Sequence, residues 1–559
     1  MTPANQAMRP RFRAPPLFPL TVSGIAFAFL GLFLLWPLAS VLWVSFFDPT
    51  GTHFTLANYG RILSTRFYQQ GLFNSLWIGV VATLTTTAVA VPLAFCIARL
   101  KLPGKTALSA LSVLPLILPS FVGAYALVLM FGRSGFVTLA LRQIGIPFGS
   151  IYGVPGLVTV YTLSLFPYVL LPTVAAFKAV DVAMEEAAQN LGSPRWRTVT
   201  TVIFPIVLPA VLAGALLVFM DTLESFGVPF VLAEDMPILA IEAYKLFVGE
   251  VSQNPSAAAV LSVLLVLCTT TALLLQRFYL SRRRFATGAR TAPPLLRAGR
   301  ALRGVASVYC WGVVLLALVP FFAVVVISFM RFRGPVIVAD LSLGNFAQLF
   351  QRSARPLLNT LGLATATALG AALIGVPIGY VVTRMRSGLA HLLDVLAMVP
   401  FAIAGTVLGI GLVICFNSGP LVLTGGGLIL VLAYIVRRIP FNVRASSAIL
   451  HQLDPSLEEA SVNLGVSPTR TFFTLTVPLI VGGVLGGMVL TWVTIASELS
   501  ATVMLYSPAW TTVTVTMLQA LEGNNPGIAT ASATVLTVAT VVPLALVYRL
   551  LRRHEASLL

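Results

Sequence analysis

Charged residues are scarce in this 559-residue chain. Asp, Glu, Lys and Arg together make up only 9% of it, whereas 58% of the residues are hydrophobic and the mean hydropathy is +0.94. Soluble proteins of ordinary composition are about one quarter charged, because their surface must be clothed in polar groups. The composition therefore excludes a water-soluble globule and predicts a protein that lies in a lipid bilayer.

Residues that bind metals or carry out nucleophilic chemistry are also few. The four cysteines occur far apart in apolar runs and without a CxxC spacing, at Cys96, Cys268, Cys310 and Cys415. The four histidines are scattered, at His53, His391, His451 and His554. Neither pattern provides metal-ligand spacing, a disulfide framework or a catalytic triad. We therefore expect no catalytic, cofactor-binding or metal-binding residues, and no enzymatic activity, in this chain.

A complete nucleotide-binding loop is lacking as well. Gly104-Lys105-Thr106 has the ending of a phosphate-binding loop, but the residue five positions before Gly104 is Arg99, where that loop requires glycine. If ATP drives the protein, its hydrolysis must take place on another polypeptide.

What the chain has in abundance is apolar runs of about 20 residues, the length that crosses a bilayer as a helix. They predict twelve transmembrane helices, near 20–46, 73–98, 108–131, 155–178, 206–232, 254–277, 303–329, 357–383, 389–416, 426–444, 479–505 and 525–550. We therefore expect an all-α membrane protein with six helices in each half. Because each half has an even number of helices, the two halves share one orientation.

The two predicted domains are 1–277 and 303–559, joined by a basic cytoplasmic linker at 278–302. The linker contains clustered arginines and Pro293-Pro294, so it is too polar to cross the bilayer. Two interpretations remain open for it: an anchor to anionic lipid and a simple solvated tether.

One short segment occurs twice, 273 residues apart, at 181–205 and 454–478. Both copies contain an Asp, a Glu-Glu-Ala run, an Asn-Leu-Gly run and a closing Pro at the same spacing. The Asp can cap a helix, the Glu pair favours its positive N-terminal end, and Gly can end it in a left-handed conformation. Each copy therefore predicts a short helix outside the membrane, a sharp bend and a second helix that returns into an apolar span.

This pattern resembles the EAA loop of binding-protein-dependent ABC importer permeases. Glu186-Ala187-Ala188, Gly192 and Pro205 match it fully, whereas the second copy has Ser461 in place of the second Ala. Two such loops in one polypeptide resemble the fused permeases of the ferric-iron and thiamine importers. The resemblance implies two tandem six-helix permease domains of the type I ABC importer fold.

The resemblance also implies partners and residue roles. Two copies of a separate ABC ATPase subunit would bind the loops and carry the ATP, so that no cofactor is expected on this chain, and a periplasmic solute-binding protein would deliver the substrate. The residues implied in coupling to the ATPase are Glu185, Glu186, Ala187, Ala188 and Gly192 in the first loop, and Glu458, Glu459, Ala460 and Gly465 in the second.

The distribution of positive charge predicts the orientation. The formal net charge is +17, but only nine of the 35 Lys and Arg residues fall on the side opposite the repeated loops: Arg61, Arg66, Arg133, Arg142, Lys245, Arg331, Arg333, Arg352 and Arg355. By the positive-inside rule, the repeated loops and both termini face the cytoplasm. The resemblance to importer permeases implies that the membrane is the inner membrane of a bacterium. The same distribution explains the basic charge without nucleic-acid binding.

Three carboxylates lie within apolar runs, namely Asp221, Glu224 and Glu498. Glu224 follows Pro205 by 19 residues and Glu498 follows Pro478 by 20, so the two are expected at similar heights in equivalent helices. A charge at the bilayer centre costs roughly 2.5–3.5 kcal/mol, so such groups usually face a cavity or a partner. Two interpretations stay open: a substrate pathway that favours a cation, and helix capping at the outer interface.

The substrate is the least constrained part of the prediction. The family resemblance and the carboxylates together favour ferric iron as the substrate. Thiamine is the next candidate, and an aminoalkylphosphonate is the third. For each of these substrates, the resemblance implies transport by alternating access. The rival class is a secondary transporter of the major facilitator type, which also has six plus six helices. Its acidic and basic motif between the second and third helices is missing, because that loop is Arg99-Leu-Lys-Leu-Pro-Gly-Lys105.

Overall fold

The computed structural model describes residues 17–48, 51–146, 149–249, 254–281, 299–334, 336–352, 354–385 and 387–557. The basic N-terminal segment 1–16 and most of the predicted linker, 282–298, lie outside these residues, so both interpretations of the linker stay predictions. Within the described residues the protein is helical except for one β-hairpin, and the predicted all-α class is confirmed.

Among the described residues, the first half contains fifteen α-helices and short helical turns. They are α1 (Leu17–Leu30), α2 (Trp36–Ser45), α3 (Ala57–Ser64), α4 (Arg66–Arg99), α5 (Lys105–Leu111), α6 (Leu114–Ile117), α7 (Ser120–Phe131), α8 (Phe136–Gln143), α9 (Val154–Lys178), α10 (Val182–Asn190), α11 (Arg195–Thr198), α12 (Phe204–Glu224), α13 (Gly227–Leu232), α14 (Leu239–Val248) and α15 (Pro255–Ser281). Single π-helical turns join α1 to α2 (Gly31–Leu35) and α11 to α12 (Val199–Ile203).

The second half repeats this order. Its helices are α16 (Arg300–Ser328), α17 (Gly344–Arg352), α18 (Arg355–Arg384), α19 (Gly388–Met398), α20 (Gly405–Phe416), α21 (Gly427–Leu450), α22 (Ser456–Asn463), α23 (Pro468–Thr471), α24 (Val477–Ala496), α25 (Thr502–Leu505), α26 (Val513–Glu522) and α27 (Pro526–Ser557). Shorter turns lie at Val399–Ala402, Phe472–Thr476 and Pro508–Trp510. Strands β1 (Met330–Arg333) and β2 (Val336–Leu341) form the antiparallel hairpin.

The number of membrane spans is close to the predicted twelve. Ten helices of the described residues are long and apolar enough to cross a bilayer, and an eleventh crossing is made by α19 and α20 if this bent pair is one span. The predicted span at 426–444 corresponds to α21, whose apolar sequence is interrupted by Arg437, Arg438 and Arg444.

Four predicted spans are not the continuous helices that the sequence suggested. Residues 108–131 are divided among α5, α6 and α7, because Leu118 is extended before Pro119, as a residue preceding proline usually is. In the second half, α19 and α20 meet at 107° after Pro400. The predicted spans 206–232 and 479–505 likewise break, after Glu224 and Ala496, and continue as the short helices α13 and α25.

Each half is built on a three-helix core. In the first half α4 packs against α9 and α12, and in the second α18 packs against α21 and α24. Small residues allow these helices to approach closely, as is usual in membrane proteins. A Cβ atom on Gly379 of α18 would lie 2.1 Å from Ser446 Oγ of α21, and one on Gly214 of α12 would lie 2.5 Å from the Cα of Val169 on α9.

The two halves exchange their first helices. Helices α1 and α2 pack on α18, α19 and α20 of the second half, where Cys415 Sγ lies 3.0 Å from Ser40 Oγ. Reciprocally, α16 packs on α4 and α7 of the first half, where the Tyr309 hydroxyl donates to the Val89 carbonyl at 2.8 Å. The halves are therefore interlocked rather than merely adjacent.

On the face opposite the repeated loops, the two cores are tied to their following helices in the same way. Asn74 Nδ2 on α4 donates to the Pro237 carbonyl at 3.1 Å, and Asn359 Nδ2 on α18 donates to the carbonyls of Ala509 (3.1 Å) and Thr511 (2.9 Å). These amides fix the segments that lead into α14 and α26.

Candidate functional site

The two repeated loops fold as the sequence predicts. The first forms α10, a bend and α11, and the second forms α22, a bend and α23. Asp181 accepts a hydrogen bond from the Ala183 N–H at 3.1 Å, and Asp454 Oδ1 accepts one from the Ser456 N–H at 2.9 Å. The Ser456 N–H holds the pKa of the Asp454 carboxyl below its usual value, so this cap is charged at neutral pH.

Both short helices end on the predicted glycine. Gly192 has φ of +81° and Gly465 has φ of +88°, in the left-handed region that glycine adopts without steric cost. Past the glycine, the Ser193 N–H donates to the Ala188 carbonyl at 3.0 Å and the Val466 N–H donates to the Ser461 carbonyl at 3.2 Å. This is the bonding of a helix C-cap, and it produces the same bend in both copies.

The two glutamates of each loop face in different directions. Glu185 is buried and forms an ion pair with Arg99, the last residue of α4. Glu458 pairs with Arg384, the last residue of α18, at 3.2 Å, and also accepts hydrogen bonds from Tyr380 (3.1 Å). These two carboxylates therefore attach the loops to the membrane helices.

The next glutamate of each loop points away from the membrane helices. Glu186 and Glu459 are exposed, and so are Ala187 and Ala460, whereas Ala188 is half-buried. The bends at Gly192 and Gly465 are exposed too.

Two residues that were not among the predicted coupling residues belong to this outer surface. The side chains of Leu191 and Leu464 are 89% and 85% exposed. The repeated Asn-Leu-Gly run was the signal that could have identified them, since it places a leucine directly before the bend glycine in both copies.

A cavity of about 250 Å³ lies between the two halves. It is lined where the helices break: residues around Pro119 and Ser225 in the first half, and around Pro400 and Ser497 in the second. Interrupted helices are typical of membrane-protein cavities, because the unpaired backbone groups need a polar surrounding.

The three predicted intramembrane carboxylates all line this cavity. Asp221 and Glu224 lie on the last turn of α12, and Glu498 lies just after α24. Glu498 also accepts a hydrogen bond from the Ala501 N–H at 3.1 Å, at the start of α25. Each of the two open interpretations thus describes part of the geometry, and the transport role of these residues stays a prediction.

Two arginines that the sequence analysis did not select lie among these carboxylates. Arg437 Nη2 is 2.9 Å from Glu224 Oε2 and its Nη1 is 2.6 Å from Glu498 Oε1, whereas Arg438 Nη2 is 2.9 Å from Glu498 Oε2. The available signal was the Arg-Arg pair inside a predicted span, where a charge needs a partner.

The cavity is symmetric in position but not in charge. At the spacing of the repeated loops, Arg437 and Arg438 correspond to Ser164 and Leu165, which also line the cavity. Likewise Asp221 corresponds to Thr494. The first half therefore contributes carboxylates without a cation, and the second half contributes both arginines.

The described residues contain no group of three or more His, Cys, Asp and Glu side chains arranged to hold a metal ion. The cavity carboxylates are spaced by guanidinium groups instead.

Comparison with known proteins identifies two matches to one family description, "Binding-protein-dependent transport system inner membrane component", over residues 90–285 and 371–558. The chain is 29% identical over 527 residues to the ferric transport system permease protein FbpB of Actinobacillus pleuropneumoniae, covering 90% of this chain and 74% of that protein. It is also 29% identical over 495 residues to the putative ferric transport system permease protein FbpB 1 of Haemophilus influenzae, covering 85% and 76%.

Shorter similarities also exist. The molybdenum transport system permease protein ModB of Escherichia coli is 32% identical over 169 residues, which are 30% of this chain and 73% of that protein. Among solved structures, a bacterial ABC transporter involved in the import of the acidic polysaccharide alginate is similar with a TM-score of 0.40 and 19% identity, covering 48% of this chain and 96% of that chain.

Proposed function

The chain belongs to the family of binding-protein-dependent transport system inner membrane components, and on that basis we propose that it is the membrane-spanning permease subunit of an ATP-driven importer. The family expected from the repeated loops is thus confirmed, as is a multi-pass membrane protein. One observation carries the proposal furthest: two loops, each attached to a membrane helix by a Glu–Arg pair, present the same outward surface in both halves.

The outward surfaces fit a separate motor subunit. Glu186 and Leu191 in one loop, and Glu459 and Leu464 in the other, are exposed at equivalent positions. A matched pair of surfaces favours two copies of one ATPase, and the excess of Lys and Arg on this side favours a cytoplasmic location of the loops and both termini. A periplasmic solute-binding protein would then present the substrate on the opposite face.

The attachment of the loops provides a route for force. Arg99 ends α4 and Arg384 ends α18, and each holds the first glutamate of its loop. Because α4 and α18 are the central helices of the two cores, a displacement of either loop moves a whole core rather than the loop alone. Closure of the ATPase pair would bring the loops together and turn the cavity outward, and ATP hydrolysis would reverse the motion.

Ferric iron is the substrate that the observations favour. Two relatives that match along most of the chain are named as ferric transport permeases. The cavity adds three carboxylates, and carboxylate oxygens suit a hard cation. The two cavity arginines, Arg437 and Arg438, are the feature that would suit an anion such as an aminoalkylphosphonate, but both are paired with the carboxylates.

The test is transport in proteoliposomes that contain the full chain, its ATPase and its solute-binding protein. Radioactive ferric iron should enter only with ATP and with the binding protein present, whereas a facilitator would transport without the ATPase. The double variant Glu224→Gln, Glu498→Gln should lose uptake, while Asp394→Asn, which neutralises an ion-paired carboxylate outside the cavity, should retain it. Uptake by the double variant at the unmodified rate would contradict a role of the carboxylates in the pathway.

A further inference from the structure

Arg437 is the one side chain that connects the charged groups of the two halves across the cavity in the described residues. It lies on α21, its side chain is only 8% exposed, and it contacts Glu224 of the first half and Glu498 of the second. The chain leaves room for it: a Cβ atom on Gly405 would lie 2.5 Å from Arg437 Nη1.

The two ion pairs of Arg437 differ in how they are supported. Glu498 belongs to the same half, and it is also held by Arg438 (2.9 Å) and by the Ala501 N–H (3.1 Å). Glu224, within the described part of the chain, has Arg437 as its single hydrogen-bond donor. Separation of the halves would therefore break the Glu224 pair and leave the Glu498 group intact.

Asp221 extends the site on the first half. It precedes Glu224 by three residues, so the two carboxylates share a face of α12, and both line the cavity. Among the described residues, no hydrogen bond or ion pair to Asp221 is formed. When Arg437 is withdrawn, the first half thus exposes two carboxylates with no cation of its own, a buried arrangement that is costly unless a cation enters.

We propose that Arg437 is a tethered counter-cation, which is paired with Glu224 of the Asp221–Glu224 site in this conformation and is exchanged for the transported multivalent cation when the two halves part. The return of Arg437 expels the bound cation as the halves close. This inference rests on the proposed import of a cation, and it assigns the receiving site to the first half and the specificity-determining residue to the second.

Exchange of Arg437 for the transported cation explains why an arginine, rather than an uncharged residue, lies beside the carboxylates. A guanidinium presents several donors in a fixed plane, and Arg437 uses it to hydrogen-bond Glu224 while forming an ion pair with Glu498. The receiving site contains two carboxylates, Asp221 and Glu224, whereas Arg437 supplies a single positive charge. A multivalent ion can neutralise both carboxylates, which favours it over sodium or potassium.

The test measures ion binding in the absence of transport. The full chain with its ATPase, in nanodiscs without ATP or binding protein, is equilibrated with gallium(III) buffered by nitrilotriacetate, and bound gallium is measured by mass spectrometry after gel filtration. Arg437→Gln should bind at least roughly tenfold more gallium than the unmodified protein, because charge pairs at such interfaces are coupled by more than a tenfold effect. The control Arg444→Gln removes an arginine of the same helix whose partner is Asp394, and it should bind no more than the unmodified protein.

Two further variants decide the outcome. The triple variant Asp221→Asn, Glu224→Gln, Arg437→Gln should lose the gained gallium, since its receiving carboxylates are gone. Arg437→Lys, which keeps one positive charge but cannot bridge two carboxylates, should show an intermediate gain, and it remains informative if Arg437→Gln does not fold.

Equal gallium binding by Arg437→Gln and the unmodified protein would overturn the inference, as would a gain that persists in the triple variant or that appears for molybdate instead of gallium. With Arg437→Lys as the only folded variant, gallium at the unmodified level would overturn it as well. These measurements do not involve uptake, so their outcome can be told apart from a failure of the proposed function. Iron uptake together with a negative gallium result rejects the exchange alone. Absence of iron uptake rejects the proposed function.

Discussion

Replacement of Glu185 by Gln should release the first loop from the membrane helices. The change keeps the shape of the side chain but leaves Arg99, which is 2% exposed, without its counter-charge. Removing one partner of a buried ion pair costs about 3–5 kcal/mol. At 1.4 kcal/mol for each factor of ten, the open form of the loop should become roughly 10²- to 10³-fold more populated.

Hydrogen exchange on the full chain in nanodiscs measures this effect directly. Peptides that cover α10 should exchange faster in Glu185→Gln, whereas peptides that cover α22 serve as an internal reference because that loop is unchanged. The equivalent variant Glu458→Gln should have a smaller effect on α22. Its ion pair is more exposed, at 15% for Arg384 and 16% for Glu458, and Arg384 keeps a hydrogen bond to the Leu453 carbonyl.

The adjacent residue provides a matched control. Glu186→Gln removes an exposed carboxylate from the same helix, so exchange of α10 should not change, but ATPase stimulation by the binding protein should fall. Exchange of α10 in Glu185→Gln that differs from the unmodified protein by less than tenfold would refute the anchoring role of Glu185. So would an equal acceleration in Glu186→Gln.

Three further outcomes are expected. Gly192→Ala should destabilise its loop by about 1–2 kcal/mol because of the positive φ of Gly192, although nothing lies within 4 Å of the added methyl group, and it should lower coupled uptake. The control Gly482→Ala is also in open space but has no positive φ, so it should leave both loop stability and uptake unchanged. Gly379→Ala should separate α18 from α21 and lower thermal stability by about 1–3 kcal/mol, whereas Gly362→Ala on the same helix meets nothing and should be neutral in the same thermal unfolding assay. Asn359→Ala removes the donor to the carbonyls of Ala509 and Thr511, which are not fully buried, and should cost about 0.5–1.5 kcal/mol, seen as faster hydrogen exchange in α26.

Local sequence signals predicted the loops well. The caps at Asp181 and Asp454 and the glycine ends of α10 and α22 depend on neighbours within a few residues, so they are visible in the sequence. The direction of each glutamate was not visible in this way. Glu185 faces inward because it pairs with Arg99, which lies 86 residues earlier in the chain. The motif alone does not identify that partner.

The membrane helices show the same division between local and distant causes. Apolar length identified the spans, but the breaks at Pro119 and Pro400 were missed, because proline is tolerated inside other helices here, such as α4 at Pro92 and α9 at Pro167. Whether a proline interrupts a membrane helix depends on whether a cavity can solvate the freed backbone groups, and that is a property of the assembled halves.

The cavity carboxylates were selected as residues that need a cavity or a partner, but neither the substrate pathway nor helix capping named a basic side chain as that partner. Arg437 supplies that partner in the structure, from the other half and more than 200 residues away. If the intramembrane acidic and basic residues are considered as one set, Arg437 and Arg438 pair with the carboxylates by charge before either is assigned to a substrate.

The exchange of first helices limits how the protein can move. Helices α1 and α2 lie along the second half, and α16 lies along the first. Each half is therefore held by helices that belong to the other. These helices would resist a wide separation of the two halves. The halves must therefore rotate relative to each other while they stay in contact, and the gap between them can open only narrowly. The opening of the cavity is thereby limited by three helices, α1, α2 and α16, none of which contributes a residue to its lining.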